Sequence, residues 1–106
     1  MKDQHTKIKG YRDLSQEEID LMNRIKTKGA ELLELQAELG SRLSTDAEFK
    51  ASNAAREKDG DTFQEGATVE FERFKAAEPQ RWAAIGKTDI QTGLMALIRA
   101  VAQPSV

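Results

Sequence analysis

The sequence predicts an all-α protein: two long antiparallel helices and short charged middle helices, preceded by an N-terminal segment and assembled as a compact oligomer. Two local signals predict the helices. Ser15 and Glu18 stand at capping-box spacing directly before an apolar stripe, and Pro79 opens a second stripe that runs toward Pro104. A third observation predicts the oligomer. At 106 residues, 39% apolar and 6% aromatic, the chain is one domain (1–106) whose core needs a partner subunit to complete it.

The first long helix starts at the Ser15 cap, where the hydroxyl accepts from the Glu18 backbone N–H and the Glu18 carboxylate returns to the Ser15 N–H. Leu14 and Ile19 occupy the flanking staple positions. Met22, Ile25, Gly29, Leu32 and Leu39 recur at helical steps, and Gly40 offers a left-handed stop, so the helix is expected over about 16–39. Thr45 with Glu48 and Thr62 with Glu65 predict two shorter charged helices, about 46–57 and 63–77, separated by the turn-forming run Lys58-Asp59-Gly60-Asp61. The second long helix begins at Pro79, whose missing N–H has no intrahelical partner in a first turn. Trp82, Ile85, Ile90, Leu94, Leu97, Ile98 and Val101 form its apolar stripe. Gly86 and Gly93 lie on or beside that stripe; since a helical glycine costs ~1 kcal/mol relative to alanine, both are expected where another backbone comes close.

Composition excludes much chemistry. The absence of cysteine removes disulfides, thiolate metal sites and thiol nucleophiles, and the single His5 sits in the first few residues. Glycine-rich phosphate loops, paired-histidine motifs, nucleophile elbows and calcium loops are all missing, so neither an enzyme nor a metal or cofactor is expected. Acidic pairs such as Glu17-Glu18 read as solvated helix faces. Nothing approaches the ~18 consecutive apolar residues of a membrane helix, and the first residues lack a signal peptide's apolar stretch, so a soluble cytoplasmic protein is expected.

Charge is uneven along the chain. Residues 1–30 carry seven basic and five acidic side chains, 31–78 six and twelve, and 79–106 three and one. Were the chain ends to pack together, a mildly basic region suited to an anion would stand above an acidic middle.

The most suggestive stretch is Lys7-Ile8-Lys9-Gly10-Tyr11-Arg12, which puts the single tyrosine among basic residues, upstream of a helix bearing Arg24, Lys26 and Lys28. A Tyr ring gives a base a stacking partner worth ~1–3 kcal/mol, and an ammonium near a phosphate adds a charge-assisted contact. Lys26, four residues after Met22, lies at the margin of the apolar stripe, where its stem can follow the interface and its head reach a pocket. The same residues also suit a half-buried tyrosine with lysines kept for solubility, and residue spacing does not separate the two readings.

Two runs carry a family resemblance. HTKIKGYRDLSQEEIDLMNRIK, from His5 to Lys26, and RWAAIGKTDIQTGLMALIRAVAQP, from Arg81 to Pro104, resemble the phage anti-CBASS sponge family, small helical proteins that sequester cyclic oligonucleotide messengers. The resemblance implies a hexamer that binds, without cleaving, the messengers that activate CBASS effectors in an infected bacterial host. It implies that Tyr11 stacks on a base of a cyclic dinucleotide such as cGAMP and that Lys26 holds its phosphate, in a pocket shared by two protomers. It further implies a cyclic-trinucleotide site where three protomers meet, with Arg81 as phosphate ligand and Thr27 or Lys28 beside it. Symmetry makes this coherent: a near-twofold ligand suits an isologous interface, a threefold ligand suits a threefold junction, and a closed assembly with both axes is a hexamer.

Without the resemblance, the residues favour a helical oligomeric interaction protein with no small ligand, whose acidic middle recruits a protein partner. General nucleic-acid binding, DNA included, is disfavoured by the net charge of -2 and the lack of a broad basic stripe.

Overall fold

A computed structural model describes residues 12–105. The described chain is helical throughout its regular elements: α1 spans Gln16–Lys58, a single 3₁₀ turn covers Thr62–Gln64, α2 spans Ala67–Ala77 and α3 spans Pro79–Ala102. These residues group into two compact units. One combines the chain up to Leu33 with the chain from Thr88 onward, and the other is Glu34–Lys87.

The predicted start of α1 holds. Glu18 N–H donates to Ser15 Oγ at 3.2 Å, and Ser15 N–H donates to Glu18 Oε1 at 2.9 Å. The predicted end does not hold. α1 continues past Gly40 to Lys58 and absorbs the separate helix expected at about 46–57. Gly40 keeps φ out of the left-handed region, which among described glycines is reached at Gly60 (φ 95°) and Gly66 (φ 87°). The reason lies in the face α1 covers. Among its less exposed positions, Met22, Ile25, Gly29, Leu33, Gln36, Gly40, Leu43, Ala47, Lys50 and Ala54 make a seam of three- and four-residue steps that passes through Gly40. Packing along that seam outweighs the ~1 kcal/mol helix penalty of one glycine. The same seam shifts Leu32 and Leu39, expected on the stripe, to its exposed flank at 49% and 48% exposure.

The helix expected over 63–77 is also corrected: the chain makes the 3₁₀ turn, breaks at Gly66, and starts α2 at Ala67. Asp61, not Thr62, caps the turn, its Oδ1 accepting from Phe63 N–H at 3.0 Å. Gly66 has no side chain with which to cap α2, so Glu57 reaches across from the last turns of α1. Its carboxylate accepts from Gly66 N–H at 2.9 Å and Thr68 N–H at 2.7 Å, satisfying donors that would lack an intrahelical partner. Those bonds, led by Thr68's, hold the Glu57 pKa below its ordinary value. A single residue, Glu78 in the left-handed conformation (φ 50°), separates α2 from α3, and its N–H caps Lys75 O at 3.1 Å.

In the second unit, Ala54 and Phe74 are the buried apolar residues among those described. Lys50 sits beside them with its ammonium 2.9 Å from Glu70 Oε2 and 5.7 Å from the Phe74 ring centroid. Gln36 Nε2 donates to Ala83 O at 2.9 Å and Gln80 Nε2 to Ser44 Oγ at 3.4 Å, so α1 and α3 run antiparallel there.

In the first unit the same antiparallel sense holds. Within the chain, the close approach is at Gly29 and not at Gly86 or Gly93: a methyl group at either of those would meet no neighbouring atom of this chain within 4 Å, whereas one on Gly29 would overlap the Leu94 side chain. Gly29 is buried because Leu94 of α3 fills the space its missing side chain leaves. No described helix is long and apolar enough to cross a membrane.

Candidate functional site

The seating of Leu94 on Gly29 sets the floor of an open groove of about 510 Å³ between α1 and α3 in the first unit. Leu21, Leu32 and Leu97, exposed at 42%, 49% and 53%, make its apolar walls. Asn23, Arg24, Thr27 and Lys28 of α1 also contribute to the lining, whose surface is overwhelmingly apolar. Those four polar residues stand between positions 23 and 28, so the polar residues of the lining all come from α1.

Of the residues singled out from the sequence, the four described ones divide among three places. Thr27 and Lys28 line this groove, and Lys28 Nζ also lies 3.5 Å from Glu31 Oε1 as an exposed i,i+3 pair. Lys26 is exposed on α1 but is not part of the groove lining. Arg81 belongs to the second unit and lines a smaller groove of about 380 Å³ with Ala47, Phe71, Phe74 and Pro79. Its guanidinium is 5.2 Å from the centre of the exposed Trp82 ring, and Nη1 is 3.9 Å from Glu78 Oε2. Tyr11, together with the lysines before it, lies outside the described residues.

What the structure does give is the attachment of the chain next to Tyr11. Arg12 forms a forked pair with Glu18, Nη2 to Oε2 at 2.5 Å and Nη1 to Oε1 at 3.3 Å, and Nη2 also donates to Val101 O at 2.8 Å. Val101 lies in the last turn of α3, where carbonyls lack intrahelical partners and a cation is favoured. Glu18 thereby joins the capping box to the arginine fork. The Arg12 side chain, then the Ser15 N–H, bring its pKa from the ordinary 4.5 to about 2, and the same pair raises the Arg12 pKa.

Sequence reading missed this role of Arg12, counting it as one more charge beside the tyrosine. The signal available was an arginine three residues before the cap and six before the capping-box glutamate. Arg24 and Asn23 were missed as groove residues because the groove needs a wall from α3, whose register against α1 follows from the Gly29–Leu94 contact.

Comparison with known proteins adds the lineage. The Acb2/Tad1 hairpin domain matches residues 3–102 of this chain. Anti-CBASS protein 2 of Pseudomonas phage JBD67 is 60% identical over 105 residues, covering 98% of this chain and 97% of its own length. A domain match that takes in α1, α2 and α3 entire, with a relative of this identity over nearly all of both chains, makes the chain a member of the Acb2/Tad1 hairpin family.

Proposed function

We propose that the chain is a non-catalytic sponge that sequesters cyclic oligonucleotide second messengers and so blocks CBASS anti-phage immunity in the cytoplasm of an infected bacterium. The observation that carries this reading is the 60% identity to anti-CBASS protein 2 along nearly the whole of both chains. In this reading Tyr11 stacks on a base of a cyclic dinucleotide such as cGAMP, and Lys26 of a neighbouring copy holds its phosphate. Arg81, Thr27 and Lys28 serve cyclic trinucleotides at a junction of three copies. Arg81 lies in the second unit, and Thr27 and Lys28 line a groove of the first.

The homo-oligomer, a hexamer in this reading, has support in the distribution of apolar surface. Leu21, Leu32, Leu35, Leu39, Met95 and Leu97 are all more than two-fifths exposed, and two apolar residues are buried among those described. Apolar surface of this extent on a small helical chain is stabilised by covering it with further copies.

Calorimetry with 3′,3′-cGAMP tests the proposal. Binding with a Kd below about 1 μM is expected, with at least tenfold loss in Tyr11→Ala from the missing stacking surface. Lys26→Ala is expected to lose at least as much. Micromolar or weaker binding, or unchanged binding in both variants, removes the reading. Heating the complex should return intact cyclic ligand, whereas linear product would mark a hydrolase.

One feature favours a second reading, a helical oligomer that recruits a protein and takes no small ligand. Phe63, 95% exposed, stands on the 3₁₀ turn among acidic residues. Absence of any thermal shift with cyclic oligonucleotides, together with host-protein capture lost on Phe63→Ala, would support it.

A further inference from the structure

We propose that the Phe63 turn of one copy of the chain seats in the α1–α3 groove of another, the phenylalanine entering the apolar groove while acidic residues of the turn meet its cations. The inference rests on the homo-oligomer proposed above and adds to it the two surfaces that join.

Phe63 is 95% exposed, yet its backbone is held on both sides. Asp61 Oδ1 accepts from Phe63 N–H at 3.0 Å, Asp61 N–H donates to Arg56 O at 3.0 Å, and Gln64 N–H donates to Asp61 O at 3.1 Å. Just beyond the turn, the Glu57 carboxylate holds Gly66 and Thr68. A large aromatic ring presented on a fixed backbone loses little freedom when it is buried, which is the character of an anchor residue at an interface. Beside it stand Asp59 and Glu65, both exposed and in no ion pair among the described residues.

The groove offers the matching chemistry. Its walls are leucines, its volume of about 510 Å³ admits a phenyl ring, and its lining includes Arg24 and Lys28, both exposed, and no acidic residue. Lys28 is shared with Glu31, while Arg24 is in no ion pair among the described residues. An apolar contact rimmed by opposite charges fixes both the partner and its orientation. Packing groove against groove would instead bring Arg24 and Lys28 of two copies together as like charges and leave Phe63 in water. Every chain carries both surfaces, so the contact is head-to-tail and repeats from copy to copy.

The test is native mass and sedimentation of the full-length chain across a concentration series, with helical circular dichroism to confirm folding. Phe63→Ala and Leu97→Asp, both at exposed positions, are each expected to raise the concentration at which the assembly dissociates by about thirtyfold or more, the loss of an anchor side chain. Mixing the two variants should recover a species containing both, since each supplies the half the other lacks. Arg24→Glu should weaken assembly by up to about fivefold, and Glu65→Lys in the same chain should restore it. Because the chain has no cysteine, an equal mixture of Thr62→Cys and Thr27→Cys chains reads the contact directly: a short bis-maleimide should join residue 62 of one copy to residue 27 of another. Joining of 27 to 27 in its place overturns the inference, as does an assembly that Phe63→Ala and Leu97→Asp both leave intact; in either case the homo-oligomer stands. A monomeric wild type sinks both, and capture of a host protein through Phe63 by that monomer would give the turn to a different partner.

Discussion

The two units are held together by different means. Residues 34–87 have a small core of their own, Ala54 and Phe74, surrounded by ion pairs: Lys50–Glu70 at 2.9 Å, Arg73–Glu70 at 2.6 Å and Arg56–Asp61 at 3.1 Å. The unit containing residues 12–33 and 88–105 has the Arg12 clamp, one glycine-for-leucine contact, and leucines that line an open groove. Both units leave large apolar side chains exposed, Leu21, Leu32 and Leu97 in the one and Phe49, Phe63 and Trp82 in the other; what differs is the charge-paired core of residues 34–87 against the open groove of the other unit. In this chain the proposed ligand residues Lys26, Thr27 and Lys28 belong to the groove-bearing unit, whereas the acidic majority of residues 31–78 lies almost wholly in the 34–87 unit.

Substitutions can break or sharpen that contrast. The largest effect is expected from Phe74→Ala, which removes the largest buried side chain of the 34–87 unit and should destabilise by about 3–5 kcal/mol in urea unfolding. Loss of amide protection should begin in residues 34–87; loss beginning around residues 16–33 would show that the core serves the other unit. Gly29→Ala comes next. Overpacking against Leu94 costs about 1–3 kcal/mol and the helix gains about 1 from alanine, so a net loss of up to about 2 kcal/mol is expected. A gain instead would mean that Leu94 moves aside at no cost and that the groove floor is soft.

Gly40→Ala should have the opposite sign and a smaller size, a gain of about 1 kcal/mol, since a methyl group there meets no atom within 4 Å. A loss would place Gly40 against a second copy of the chain. The smallest effect is expected from acid, because the pairs involved are partly exposed and screened. Arg12 holds Glu18, and Arg73 with Lys50 holds Glu70, at about 2 instead of 4.5. Both carboxylates therefore contribute stability that is fully present above about pH 4.5 and is lost as pH falls from there toward 2. Glu70→Gln should flatten part of that decline in thermal melts, and 1 M salt should flatten it further.

What could be read from the sequence was local. The Ser15–Glu18 box and Pro79 act within one turn, and both mark true helix starts. Gly40 was misread because its penalty is local while the compensation is not: it comes from a seam that continues through Leu43, Ala47 and Ala54, residues too small or too sparse to announce a stripe. Asp61 and Glu57 displaced Thr62 as caps because a side chain from α1 reaches the start of α2, a contact nine and eleven residues distant in sequence. At the candidate site, Thr27 and Lys28 were legible as donors on α1, but their groove exists through Leu94 and Leu97 of α3. Arg12 reads as a charge in isolation and becomes an anchor once Val101 is beside it.

The junction at Glu78 leaves no slack between two helices, since α2 ends at Ala77 and α3 begins at Pro79. Inserting one residue there would advance the following helix by ~100° about its axis, taking Ala83 out of reach of Gln36 and turning Trp82 toward a new azimuth. The Asp59-Gly60 turn is tied too: Gly60 N–H donates to Glu57 O and Asp61 N–H to Arg56 O, both at 3.0 Å, and Arg56 pairs with Asp61 at 3.1 Å. An added residue on either side of α2 therefore breaks specific contacts: the Gln36–Ala83 bond on one side, the Glu57 cap of Gly66 and Thr68 on the other.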